Sequence, residues 1–96
     1  MFKTGEPRES ELFSLAMECA IDWRTLGEMI GLTDQTLSEI VHANHHKVSD
    51  KMYAMLTKWK ECLGSAASYR ALALGLVDYR INRRDLVEKY CHGKGK

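Results

Sequence analysis

The most reactive side chains of this 96-residue chain belong to four histidines and three cysteines. His42, His45 and His46 cluster in the middle of the chain, and Cys91 and His92 are adjacent near its end. Structural zinc sites use these residue types, but in short fixed spacings that are not found here. The sequence therefore predicts no metal site, and it favours a polar, solvated loop at the histidine cluster.

Cysteine usage and the lack of reaction motifs argue against catalysis. Cys19, Cys62 and Cys91 are odd in number and widely spaced, which favours buried, reduced thiols over a disulfide framework. The chain has no glycine-rich phosphate loop and no nucleophile beside a plausible base. We therefore expect neither an enzyme nor a cofactor.

The first half of the sequence is acidic and the second half is basic, which suggests a binding function. Residues 1–46 carry three Lys/Arg against eight Asp/Glu, whereas residues 47–96 carry eleven against five. Surfaces of opposite charge accelerate association and suppress wrong partners. The candidate acidic surface consists of Glu28, Asp34 and Glu39. The candidate basic surface consists of Lys51, Lys58, Arg80, Arg83 and Arg84.

The elements that must position these charges are helices. Apolar residues recur with helical spacing, and no alternating strand pattern is present. The length suits one domain, and no apolar run approaches the roughly 18 residues of a membrane span, so we expect a cytoplasmic location without membrane insertion. The predicted helices cover residues 8–20, 23–30, 34–42, 50–63, 66–77 and 83–91. Trp23 and Trp59 lie on apolar stripes and are predicted to be core residues.

Capping residues mark the ends of these helices. Side-chain oxygens that can accept hydrogen bonds from a first helical turn occur at Asp22, Thr33, Ser49, Ser65 and Asn82. Gly31 and Gly64 are placed where helices are expected to end, because glycine adopts the left-handed conformation at little cost.

Together these residues resemble the death-domain family. Residues 22–33, DWRTLGEMIGLT, are similar to its second helix, with a tryptophan, a leucine three residues later and an apolar-Gly-apolar-[ST] exit. Leu37 and Ile40 resemble the apolar pair of its third helix, and residues 55–59, MLTKW, resemble its fourth. Residues 72–76 and 84–87 are similar to its fifth helix and to the start of its sixth.

The resemblance implies a fold and a function. The fold is an all-α, six-helix antiparallel bundle of Greek-key topology over residues 8–91, followed by a flexible tail at 92–96. The implied function is homotypic binding to other death-domain proteins, or to itself, within signalling complexes of apoptosis or innate immunity. Such domains stack through asymmetric contacts, so a higher-order oligomer is expected.

Two alternatives remain. Residues 23–42 also fit a DNA-binding helix-turn-helix, with Gly27 at the helix crossing and Gly31 at the turn. Its recognition helix would carry Asp34 and Glu39 but no Lys or Arg, whereas DNA affinity depends on neutralising phosphates, so no nucleic-acid partner is expected. Residues 83–86, RRDL, also fit the RxDL motif of the related death effector domains.

Overall fold

Helix formation follows the apolar periodicity of the sequence. The computed structural model describes residues 3, 5–20, 22–43 and 47–92, and within them it contains helices and no β-strand, which confirms the predicted all-helical fold. The helices are α1 (Glu9–Glu18), α2 (Trp23–Met29), α3 (Asp34–His42), α4 (Val48–Leu63), α5 (Tyr69–Leu76) and α6 (Arg84–Leu86). A 3₁₀ turn over Gly64–Ala66 follows α4, and α6 continues as a π-helical turn over Val87–Cys91.

Helix α4 is the centre of the bundle, because α1, α2 and α3 all pack against it. Its Trp59 side chain is fully buried, and the indole Nε1 donates a hydrogen bond to the carbonyl oxygen of Ile30 at 3.0 Å. Trp23 is also buried, at the start of α2. Both tryptophans are core residues, as predicted from the sequence.

Two glycines let α2 approach its neighbours closely. A Cβ atom on Gly27 would lie 2.6 Å from Cδ2 of Leu37, and one on Gly75 of α5 would lie 2.7 Å from Cγ2 of Ile30. Real Cβ atoms do not come so near another carbon, so a larger residue at either position would displace the neighbouring side chains or the helices that carry them.

Several predicted helix ends are wrong by two or three residues. Helix α5 begins at Tyr69 because Ser68, and not Ser65, caps it by accepting a hydrogen bond from the amide of Ala71 at 3.1 Å. Asn82 does not cap α6; it has a φ of 53°, a left-handed conformation that asparagine tolerates.

The other predicted caps had mixed outcomes. Ser49 is not a cap, because α4 begins at Val48 with Lys47 at the capping position. Asp22 is at the capping position of α2 without a side-chain capping bond, whereas Thr33 accepts from the amide of Thr36 as predicted. Gly31 and Gly64 both have a positive φ, in agreement with their predicted roles at helix ends.

The prediction of buried thiols holds for two of the three cysteines. Cys19 and Cys91 are buried, and burial raises the pKa of both thiols, that of Cys91 to about 11. Cys62 is exposed, so its prediction was wrong. Cys62 lies beside the buried apolar stripe of α4 and not on it, so its side chain faces solvent.

The first helix is tied to the second half of the chain by two similar clusters. Glu11 accepts hydrogen bonds from the Tyr69 hydroxyl and from Lys3 Nζ, the latter at 2.7 Å. The carboxylate of Glu18, two turns later, accepts from the Tyr90 hydroxyl and from Lys89 Nζ. Each carboxylate therefore joins α1 to an aromatic residue far along the sequence.

The N-terminal segment also returns to the opposite end of the chain. The Lys3 amide donates to the carbonyl oxygen of Cys91 at 2.8 Å. Pro7 is buried, and its carbonyl oxygen accepts from Lys60 Nζ at 2.7 Å. These contacts place the residues just before α1 against α4 and the end of the π-helical turn.

These ties predict that stability falls in acid. Burial raises the pKa of Glu11, but hydrogen bonds from Lys3 and Tyr69 outweigh it and hold the pKa below 4.5. Hydrogen bonds from Lys89 and Tyr90 lower the pKa of Glu18 in the same way. A carboxylate with a lowered folded pKa stabilises the fold above its unfolded pKa and loses this contribution as the pH falls through the folded value.

Thermal melts of the wild type and of Glu11→Gln between pH 7 and pH 3 test this expectation. Glutamine resembles the protonated glutamate, so the variant should melt lower at pH 7 and the two curves should converge towards pH 3. A constant difference across this range would contradict the role of the Glu11 charge.

Candidate interaction surfaces

The predicted acidic residues lie on α2 and α3 and are exposed. Glu28 lies near the end of α2, Asp34 is the first residue of α3, and Glu39 lies within α3. The Asp34 side chain is 84% exposed and forms an ion pair with Arg24 at 3.6 Å. This exposed pair is weak, so the surface keeps its acidic character.

Two of the predicted basic residues share one side of α4. Lys51 and Lys58 are two helical turns apart and half-buried, and both lie away from the fully buried side of Trp59. Lys58 Nζ is 3.8 Å from a carboxylate oxygen of Glu61. No described carboxylate pairs with Lys51.

The three predicted arginines lie on or beside the turn between α5 and α6. Arg80 forms an ion pair with Asp78 at 3.1 Å, and its guanidinium lies 5.7 Å from the ring centre of Tyr79. Another of its nitrogens contacts the sulfur of Met29, which places this turn beside α2.

Arg83 is more fully engaged than Arg84. Two of its nitrogens donate to the two carboxylate oxygens of Asp85, each at 3.0 Å, which raises the pKa of Arg83 and lowers that of Asp85. Arg84 is exposed and borders a cleft of about 200 Å³ beside Glu88 and His92. Arg84 is therefore freer than Arg83 to meet an external carboxylate.

The structure brings the predicted residues together in three groups. The acidic residues occupy α2 and α3, and the lysines occupy one flank of α4. Arg80 and Arg83 occupy the turn before α6, and Arg84 is the first residue of α6. The pairing of Arg80 with Asp78 and of Arg83 with Asp85 could not be predicted from the sequence, because each pair joins residues two apart and depends on the conformation of the turn.

Several exposed apolar side chains were not predicted. Tyr79 is 85% exposed, and Phe13 and Met17 of α1 are more than half exposed. The exposure of Phe13 and Met17 could have been predicted from their position off the apolar stripe of Leu12 and Leu15, since residues shifted by one along a helix point to a different side.

Metal and membrane sites are not evident in the described part of the chain. Among the described residues, no three His, Cys, Asp or Glu side chains come together in a way that could hold a metal ion. His45 and His46 of the histidine cluster lie outside these residues. None of the described helices has the length and hydropathy needed to cross a bilayer.

The α2–α3 unit has unfavourable electrostatics for DNA. Across residues 22–43, Arg24 is the single Lys or Arg, against four carboxylates, and it is paired with one of them. A recognition helix gains most of its affinity from phosphate neutralisation, which this surface does not supply.

Comparison with known proteins adds one finding. The family model described as Death domain matches residues 9–91, which span all six helices. No curated protein and no solved structure gives a significant match.

Proposed function

Because the chain belongs to the death-domain family, we propose that it is a homotypic interaction module that joins death-domain proteins into signalling assemblies of apoptosis or innate immunity. Death domains are interaction modules without catalytic activity. The proposed partners are copies of this chain or other death domains, in the cytoplasm. We expect the chain to have no enzymatic activity, to use no cofactor, to bind no nucleic acid and not to insert directly into a membrane.

The observation that supports this function is the exposure of opposite charges on separate helices. Glu28, Asp34 and Glu39 on α2 and α3 would meet the basic side chains on α4 and on the turn before α6 of another subunit. A contact between two different surfaces leaves one of each unused, so it propagates into a ring or a stack.

A charge reversal on each surface tests this proposal. Arg84→Glu is the sharper choice on the basic side, because Arg83→Glu would also set a carboxylate against Asp85. Sedimentation of the whole chain at neutral pH should show association at moderate salt, which weakens as salt screens the charges. Arg84→Glu and the double variant Glu28→Lys with Asp34→Lys should each weaken association by at least about tenfold. The free energy of unfolding should change by no more than about 0.5 kcal/mol.

Arg8→Glu provides a matched control. Arg8 is exposed and lies outside both charged surfaces, and its substitution changes the net charge by the same amount as Arg84→Glu. It should therefore reduce association much less than Arg84→Glu does. A monomeric wild type would exclude self-assembly, and equal association of the reversed variants would exclude these charged surfaces as the contact.

A further inference from the structure

Helix α1 presents a contiguous apolar strip to solvent. Phe13 and Met17, one turn apart, are 55% and 63% exposed. The Phe13 ring lies edge-on to the half-buried ring of Tyr53 on α4, with ring centres 5.6 Å apart, so the strip crosses the junction of the two helices. Single exposed apolar residues are common, whereas a contiguous exposed patch is the kind of surface that proteins use for contact.

The N-terminal end of this strip is acidic. Glu9 lies one turn before Phe13, and together with Glu6 and Glu61 it borders a cleft of about 210 Å³. Lys60 also borders the cleft, but its ammonium group is bound to the Pro7 carbonyl. The surface that fits here therefore has an apolar side chain for the strip and a cation for the cleft.

Such a surface exists on α5 of the same chain. Leu74 is 59% exposed, and Arg70, one turn earlier, is exposed without a described ion pair. Helix α5 packs chiefly on α2 and on the π-helical turn, whereas α4 packs chiefly on α1, α2 and α3. The Tyr69 hydroxyl at the start of α5 does bond Glu11 of α1, but no described ion pair joins Arg70 to Glu9. Both surfaces are exposed and therefore accessible to a second subunit.

The spacing of the two surfaces matches. On each helix a charged residue precedes an exposed apolar residue by four positions, which puts their Cβ atoms about 5–6 Å apart. If α5 of one subunit lies parallel to α1 of another, Arg70 reaches Glu9 while Leu74 packs on Phe13 and Met17. Apolar anchors with a charged rim are the usual arrangement of a specific interface.

We propose that a second copy of this chain docks its α5 surface, Arg70 and Leu74, on the α1–α4 strip of Phe13, Met17 and Tyr53. The contact joins unlike surfaces and is therefore head-to-tail. It goes beyond the proposed function, because it involves none of the acidic residues on α2 and α3 and none of the predicted basic residues.

Sedimentation of the whole chain tests the contact through a charge exchange. Glu9→Arg and Arg70→Glu should each weaken self-association by about fivefold, and the double variant should recover it because the ion pair is restored with reversed polarity. A merely structural effect of either substitution would give no recovery. Failure of the double variant to recover overturns the pairing of these two residues.

The apolar part has its own test. Phe13→Ser and Leu74→Gln should each weaken association by about thirtyfold. An equimolar mixture of the two should form a capped 1:1 dimer, since each keeps one intact surface. Val48→Ser, an exposed valine on another side of α4, should have no effect. Circular dichroism checks that each variant is folded. If Phe13→Ser unfolds, Met17→Gln replaces it as the test, because Met17 is more exposed, and it should also weaken association.

Salt separates this contact from the charged surfaces of the proposed function. At about 1 M salt the Debye length is about 3 Å, so the effect of Arg84→Glu should fade while that of Leu74→Gln persists. A monomeric wild type overturns the second-copy contact. Association that responds to Arg84→Glu but not to Phe13→Ser or Leu74→Gln also overturns it, and leaves the proposed function standing.

Discussion

Trp59→Ala should cost about 3–5 kcal/mol of the free energy of unfolding. The side chain is fully buried at the centre of the bundle, and a cavity there cannot be filled because three helices pack against α4. A domain of this size is stable by only about 5–15 kcal/mol. We therefore expect a fall in melting temperature of more than about 10 °C, or no folded protein at all, by circular dichroism.

Trp59→Phe separates packing from hydrogen bonding. Phenylalanine keeps an aromatic ring but leaves the Ile30 carbonyl without its partner, which costs about 1–3 kcal/mol. Tyr79→Ala is the matched control, since it removes a large aromatic residue that is 85% exposed and should change stability by no more than about 0.5 kcal/mol. Similar melting of Trp59→Ala and wild type would contradict the assignment of Trp59 as the central core residue.

Gly75→Val should destabilise the fold by about 3 kcal/mol. A Cβ atom at this position would lie 2.7 Å from Cγ2 of Ile30 and 2.8 Å from Cδ1 of Leu26, and valine adds two methyl groups to it. Ile30 also supplies the carbonyl that Trp59 binds, so displacing it disturbs a second contact. Denaturant unfolding measures the loss.

Leu74→Val is the control for the glycine substitution. It introduces the same side chain one residue earlier, at a position that is 59% exposed, and should cost only the helix propensity of a β-branched residue, about 0.5 kcal/mol. Equal losses at the two positions would show that propensity, and not the close approach of α2 and α5, determines the effect.

The sequence predicts the helices and the core better than the helix ends. Periodicity is set by burial over several turns, so the stripes that include Trp23 and Trp59 are robust. A cap depends on one residue. Ser65 and Ser68 offer the same chemistry, and only the 3₁₀ turn and the buried Ala67 between them decide which one caps α5.

The candidate site is predictable only in part. Asp34 and Glu39 could be assigned to an exposed surface because they lie off the apolar stripe of α3. Pairing such as that of Arg83 with Asp85 depends on backbone geometry that local sequence does not specify. The exposure of Phe13 and Met17 depends on which side of α1 meets α4, a tertiary choice.

The hydrogen bond between Lys3 and Cys91 has a mechanical consequence. Because these two backbone groups are 2.8 Å apart, polypeptide attached before and after the bundle would emerge at the same place. If the two ends were pulled apart, the hydrogen bond between Lys3 and Cys91 would break first, before the helices separate. A short linker could close the chain into a circle, and new termini could then be opened in a surface turn. Within a longer polypeptide, the chain would therefore enter and leave the bundle at one point, and the bundle would project to one side of the rest of the chain.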